Sequence, residues 1–259
     1  MLTLAVDTSA KSATVALLSD GKIISEAICN NGNTHTETIL PMVDEVLKNA
    51  NKKISDIDLL AASDGPGSFT GIRIGAAVIK GLAFGKDITC IGVSTIEALA
   101  QNMSAVRGII CPVMDARREQ VYNALFYCDG ENMIRLTDDR AISLHDLATE
   151  LRELTENGTV NGSRISSIHT AESIDVYLVG DGYAPAKTAL TEENVHTENT
   201  PSILREENAA SVAVIAERKY LAGDRSRDVD FSLSYLRMSQ AERERASKMS
   251  GCVINGNAQ

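Results

Sequence analysis

The sequence predicts an α/β protein built as two similar lobes, and three observations carry that prediction. First, two stretches share one plan, "AVDTSAKSATVALLSDG" near the start and "PVMDARREQVYNALFYCDG" from Pro112. In each, an apolar run ends at an aspartate (Asp7 or Asp115), a turn follows, and a second apolar run ends in Asp-Gly. Asp-Gly between such runs is a strong hairpin signal. Second, helical periodicity follows each hairpin-rich start, at 35–50 and at 143–154. Third, buried-strand runs and helices then alternate, the pattern of an α/β sheet covered by helices.

In the first half, strands are read at 2–7, 12–19 and 22–30. The helix at 35–50 carries apolar residues at 39, 40, 43, 46, 47 and 50. Pro41 falls early in it, where proline is tolerated best. A strand at 56–64 leads into Gly65-Pro66-Gly67, a sharp turn. A glycine-bearing helix follows at 70–84, then a strand at 87–94 and a helix at 95–103. In the second half, strands are read at 108–115, 119–127 and 132–142, and a helix at 143–154 with Ser143 as N-cap. A polar, Gly/Ser-rich loop is expected at 155–173, a strand at 174–182 and an amphipathic helix at 208–223. The lobes are therefore expected at 1–106 and 107–239, with a polar, disordered tail at 240–259. Two α/β halves that each begin with a three-stranded meander are the plan of the actin-like ATPase and sugar-kinase superfold.

Composition narrows the function. Net charge is −10, from 25 basic and 35 acidic residues. That balance argues against a direct grip on a phosphate backbone, which needs clustered Lys and Arg. The five cysteines are odd in number and form no CxxC pair, so neither a disulfide framework nor a zinc knuckle is signalled. Asp7 cuts the first apolar run short, which argues against a secretory signal, and no uncharged run reaches the length of a membrane span. A cytoplasmic protein without membrane contact is expected.

Catalytic constellations are incomplete. In the superfold just named, an aspartate and a small-residue turn at the end of the first strand cradle phosphate and a metal-bound water. Asp7, Thr8 and Ser9 fit that role. Asp115 fits it poorly, because Arg117, Arg118 and Glu119 replace the small residues. Gly180 and Gly182, in "LVGDG", stand where such folds place an adenosine-contacting turn. These six residues mark a candidate nucleotide cleft, set against the reading that the fold is kept and the cleft degraded. A stand-alone ATPase or phosphotransferase using Asp7 and Asp115 is the alternative function. No phosphate loop of the GxxxxGK[ST] type, no HExxH and no GxSxG elbow occurs. His35 has no second histidine at metal-ligand spacing, and no metal site is expected.

The stretch 63–85, "SDGPGSFTGIRIGAAVIKGLAFG", poses a separate question. Its helix carries Gly71, Gly75 and Gly81, and glycine destabilises a helix interior by roughly 0.5–1 kcal/mol relative to alanine. Gly71 and Gly75 lie four apart on one face, continued by Val78 and Leu82. Stripped bulk lets another backbone come close. Periodicity leaves two answers open: the lobe's own sheet, or a helix of another protein.

The motifs "DGPGSFTGIRIG", "HTETILPMV", "GVSTIEALAQ", "DARREQVYNALF" and "YLRMSQAERE" resemble the TsaB (YeaZ) family over residues 2–128 and again at 234–245. The resemblance implies a two-lobed actin-like fold. It implies a non-catalytic paralogue of TsaD that lacks TsaD's metal-binding HxxxH, and a role as scaffold and activator of TsaD. TsaD transfers a threonylcarbamoyl group to adenosine 37 of tRNAs that read ANN codons. The ATPase TsaE joins the pair, and tRNA is met only through the complex. Carried onto this chain, the interface falls on the first lobe's helices at Ile39, Leu40, Val43, Thr70, Gly71, Ile72, Arg73, Ile74, Gly75 and Val78. The same residues would seat a second copy when TsaD is absent. No cofactor is required, and ATP or ADP is left open at the interlobe cleft or the partner interface. Asp64 departs from the many relatives that carry a basic residue there, and the stretch 240–259 extends beyond the shorter relatives.

Overall fold

The computed structural model describes residues 1–32, 34–160, 163–164 and 174–237. The first lobe runs β1 (Leu2–Asp7), β2 (Ala13–Ser19), β3 (Lys22–Cys29), α1 (His35–Asn49), β4 (Leu59–Gly65), α2 (Phe69–Ala83), β5 (Thr89–Ser94) and α3 (Thr95–Gln101). Its sheet is ordered β3-β2-β1-β4-β5. The first three strands form an antiparallel meander, and β4 and β5 run parallel to β1. Helices cover both faces, which is why β1, β2 and β4 read as near-continuous apolar runs. Leu4, Val6, Val15, Leu17, Leu60 and Ala62 face α1 and α2. The alternate residues Ala5, Ala16, Leu18, Leu59 and Ala61 face a helix from the other end of the chain.

The second lobe runs β6 (Arg107–Asp115), β7 (Gln120–Asn123), β8 (Phe126–Asp129), β9 (Met133–Arg135), β10 (Arg140–Ser143), α4 (Leu144–Asn157), β11 (Thr159–Val160), β12 (Ser163–Arg164), β13 (Val176–Val179), α5 (Tyr183–Glu192) and α6 (Ala209–Leu221). β7 and β8 lie along β6 in one continuous register, and β13 pairs with its opposite edge in parallel. The strand expected at 119–127 is thus broken in the middle. There Asn123 Nδ2 donates to the carbonyls of Pro112 and Ala124, and the Leu125 N–H donates to Thr137 Oγ1. The strand expected at 132–142 is broken with it, into β9 and β10. Both lobes share the meander and the following parallel strand. The first lobe's β5 has only an isolated bridge as counterpart, between Tyr177 and Glu198.

Ser143 caps α4 as expected, accepting the Asp146 N–H at 3.0 Å, but the helix continues to Asn157, where Gly158 turns left-handed at φ 66°. The loop expected from 155 therefore starts later. Its stretch 165–173 and the expected tail 240–259 lie outside the described residues.

The expected second lobe, 107–239, does not pack as one body. α6 lies on the first lobe's sheet, with Val212, Ala213 and Ile215 against Ala5, Ala16 and Ile91. Phe231 enters the core beneath α1 and α2. In return, α3 packs Ile96 and Leu99 on Ile110, Phe126 and Val179 of the second sheet. Each half thus contributes its last helix to the seam, because the meander edges leave both inner sheet faces bare.

Candidate functional site

Two regions merit attention: the outer side of α1 and α2, and the cleft between the lobes. Ser68 starts α2, its hydroxyl accepting the Gly71 N–H at 3.2 Å. From there the helix passes close over the end of β1. A Cβ on Gly71 would overlap the Thr8 carbonyl oxygen, and one on Gly75 would stand 2.8 Å from Thr8 Oγ1. Thr8 Oγ1 in turn donates to the Gly71 carbonyl at 2.8 Å. The glycine pair therefore serves this protein's own sheet. Gly81 is different: nothing lies within 4 Å of an added Cβ.

This corrects the expected interface. Ile39, Val43, Gly71, Ile72, Gly75 and Val78 are buried within the lobe, because the apolar side of each helix is consumed by β1, β2 and β4. Leu40, Thr70 and Arg73 are exposed and Ile74 is half-buried. The surface they belong to also carries Ala77, Gly81 and Phe84, which periodicity did not single out. Leu40 is 50% and Phe84 79% exposed. Arg73 lies over the Phe69 ring, 3.7 Å from its centroid, and donates from Nε to Tyr235 Oη at 3.0 Å.

The interlobe cleft is a cavity of about 1030 Å³. Ser9, Ala10 and Lys11 line it from the first lobe, and Asp115, Ala116, Arg117, Arg118 and Asp181 from the second. Residues 234–237 form a third wall. The Ser234 N–H donates to the Asp64 carbonyl at 2.8 Å, and the Arg237 guanidinium reaches the Ala116 carbonyl. Lys11, Arg117, Arg118 and Arg237 gather basic groups here, in a chain of net charge −10.

The six cleft candidates separate. Ser9 and Asp115 line the cavity. Asp7 is buried behind it, with Oδ1 accepting from Ser9 N at 2.8 Å and Ser9 Oγ at 2.6 Å. Burial raises its pKa above the ordinary range, against hydrogen bonding from Ser9 and Ser63. Thr8 is tied to Gly71. Gly180 and Gly182 press on the Val113 carbonyl oxygen, so they are packing residues of β6, while Asp181 between them faces the cavity. Asp115 bends its own turn, accepting the Arg117 N–H at 2.7 Å, and Arg117, Arg118 and Glu119 all take positive φ. Asp64 points away from the cavity. Its carboxylate lies against Gly92, and its pKa is raised to about 6, mainly by burial, with Lys219 opposing and Asp139 and Glu97 adding to the shift.

The family model described as TsaD, tRNA N6-adenosine threonylcarbamoyltransferase, matches residues 23–244. The tRNA threonylcarbamoyladenosine biosynthesis protein TsaB of Haemophilus influenzae is 31% identical over 239 residues, 90% of this chain and 92% of that protein. The chain belongs to the TsaB family. The TsaB of Escherichia coli is 39% identical over 153 residues, 58% of this chain and 65% of its own length. That of Bacillus subtilis is 35% identical over 153 residues, 59% of this chain and 67% of its own. Among solved structures, YeaZ from Pseudomonas aeruginosa shares the fold, with TM-score 0.68 at 24% identity, covering 91% of this chain and 99% of that one. Among the described residues no helix is long and apolar enough to cross a membrane.

Proposed function

We propose that this TsaB-family chain is a non-catalytic subunit of tRNA threonylcarbamoylation, which docks the outer side of α1 and α2 on TsaD and activates it. TsaE joins that pair, and tRNA is held through the complex. One observation supports the docking reading most: the low-charge surface of Leu40, Ile74, Ala77, Gly81 and Phe84 on two adjacent helices. Surfaces of that kind mark interaction sites. Glu37, Asp44 and Lys48 of α1 and Arg73 of α2 are exposed on the same helices and would meet polar groups of a partner that covers it. A second copy of the chain covers the same surface when TsaD is absent.

Ala77 sits at the middle of this surface and touches no core. In a reconstituted reaction with TsaD, TsaE and tRNA, Ala77→Arg is expected to lower threonylcarbamoyl-adenosine formation at least tenfold while the chain melts as wild type. Full activity with Ala77→Arg would overturn the assignment of this surface.

The cleft supports a second, subordinate reading, ATP or ADP bound as a structural ligand. Its volume suits a nucleotide and its basic rim suits phosphates. Turnover by this chain alone has less support, since Asp7 is locked on Ser9 behind the cavity wall. Calorimetric titration with ADP tests the reading, and loss of binding in Arg117→Ala is expected.

A further inference from the structure

Two stretches set apart in the sequence, "DGPGSFTGIRIG" and "DARREQVYNALF", are joined in space by the start of a third, "YLRMSQAERE". The chain that leads into the third is rooted in the first lobe. The Cys90 N–H of β5 donates to the Ser226 carbonyl at 2.8 Å, Arg227 pairs with Asp87 at 2.8 Å, and Phe231 and Leu233 pack beneath α1 and α2. The Ser234 N–H then takes the Asp64 carbonyl, and a Cβ on Gly65 would overlap the Ser234 carbonyl oxygen. The chain thus crosses flush on the turn that starts α2.

Beyond that crossing, two side chains go to different lobes. The Tyr235 ring lies on the Phe69 ring, centroids 5.0 Å apart, and Tyr235 Oη accepts the Arg73 Nε–H at 3.0 Å. Phe69 and Arg73 stand at the start of α2, next to the proposed docking surface. Arg237 reaches the second lobe, where its guanidinium donates to the Ala116 carbonyl and stands 5.9 Å from the centre of the Tyr122 ring. No more than about 7 Å separates the Cα atoms of Tyr235 and Arg237 along the chain. Neither can be displaced far without the other.

The turn that Arg237 holds is strained. Arg117, Arg118 and Glu119 all take positive φ, a costly conformation without glycine. The turn is kept by the Arg117 N–H on Asp115 Oδ1 and by the Ala116 N–H on the Gln120 carbonyl at 3.0 Å, and Arg237 binds the same Ala116. The two ends of the segment are held unequally. Phe231 is buried, whereas Tyr235 is 45% exposed and Leu236 and Arg237 are half-buried. Stretches with few buried contacts open at low cost, so the far end is the one that lets go.

We propose that residues 231–237 are a clasp that ties the second lobe's first turn to the start of α2, so that the setting of the cleft is felt at the edge of the docking surface. With the clasp shut, Arg237 braces the Ala116 turn and Tyr235 pins Arg73 across the Phe69 ring. When it opens, both are released together. The link is reciprocal: whatever steadies one end steadies the other. The clasp belongs to the free chain, whether or not TsaD is the partner that covers α2.

Hydrogen exchange of the free, full chain tests it, followed in the stretches 66–74 and 114–121, with 2–7 of β1 as internal standard. Arg237→Ala should exchange roughly threefold faster or more at 114–121 and also at 66–74, which the Arg237 side chain does not hold. Tyr235→Ala should likewise speed exchange at both, although its own contacts are all at 66–74. Tyr235→Phe, which keeps the ring and removes one hydroxyl, should show the same pair of changes at smaller size. Neither side chain is in the core, so 2–7 should exchange as in wild type. Changes confined to each variant's own end overturn the proposal, because the segment then makes two separate contacts. Unchanged exchange at both stretches overturns it as well, because the segment then restrains neither lobe. TsaD takes no part in the experiment, so its outcome leaves the docking reading as it stands.

Discussion

The outward helices of the two lobes hold the same place in a repeated plan, yet they meet solvent differently. α1 and α2 present Leu40, Ala77, Gly81 and Phe84. α4 and α5 present His145, Asp146, Glu153, Glu156, Thr188 and Glu192. Both pairs bury an apolar side on their own sheet, through residues such as Val43 and Ile79 in one lobe and Leu151 and Leu190 in the other. The fold therefore demands only the inward side. What the outward side carries is free to serve another molecule: the first lobe sets Leu40, Ala77, Gly81 and Phe84 there among Glu37, Asp44, Lys48 and Arg73, whereas α4 in the second exposes mainly charged and polar side chains. Within α2 the same contrast holds between glycines: Gly71 and Gly75 let the helix settle on Thr8, whereas Gly81 touches nothing.

The sharpest way to break that contrast is Gly71→Ala. The added carbon meets a backbone oxygen of the Asp7–Ser9 turn, which cannot retreat without moving β1. A loss of about 3 kcal/mol or more is expected, seen as a melting temperature lowered by roughly 6 °C or more. An unchanged melt would mean that the inward face is as tolerant as the outward one. Asp64→Asn comes next and probes the seam between the lobes. The folded pKa of Asp64, about 6, lies above the ordinary 3.8. The folded form therefore holds its proton longer, and wild-type stability falls as pH rises from about 4 to about 6. The variant should lose that slope and be more stable at pH 7 by roughly 2 kcal/mol, read from urea unfolding at pH 4.5 and 7. Parallel pH profiles would contradict the burial of that carboxyl.

Gly81→Ala sharpens the comparison from the other side. With open space around it, the helix should gain roughly 0.5–1 kcal/mol, in contrast to the loss at Gly71, ten residues earlier. The smallest effect concerns the first turns of the two lobes. Arg117, Arg118 and Glu119 hold φ of 65°, 57° and 56° in the second lobe's turn, a conformation that favours glycine. Arg118→Gly should stabilise by a few tenths of a kcal/mol, once relief of strain is set against chain entropy. A melt lowered by several degrees would show that the arginine side chain packs.

Much of the first lobe was legible because each apolar run had one possible period and ended at a turn residue. β1, β2, β3 and α1 fall within a residue or so of their expected bounds. The break between β7 and β8 was hidden, since the run "ALFY" is apolar throughout and the cause is the side-chain amide before it, Asn123, bonding to a strand it meets only in three dimensions. The crossing of α6 onto the first sheet was hidden for the same reason: periodicity shows that a helix has an apolar side, not which sheet receives it. α2 was the hardest element, because small or apolar residues surround it and its stripe points equally well inward and outward. Asp181 and Arg237 escaped notice because they reach the cleft region from separate segments of the chain.

The central claim is that the apolar outer side of α1 and α2 exists to be covered by TsaD. A calorimetric titration of TsaD into the Leu40→Glu, Phe84→Glu double variant tests it most directly, with Thr188→Glu on α5 as the matched change in the second lobe. The double variant should bind at least 100-fold more weakly while melting as wild type does, and Thr188→Glu should bind unchanged. Wild-type affinity in the double variant would contradict the claim.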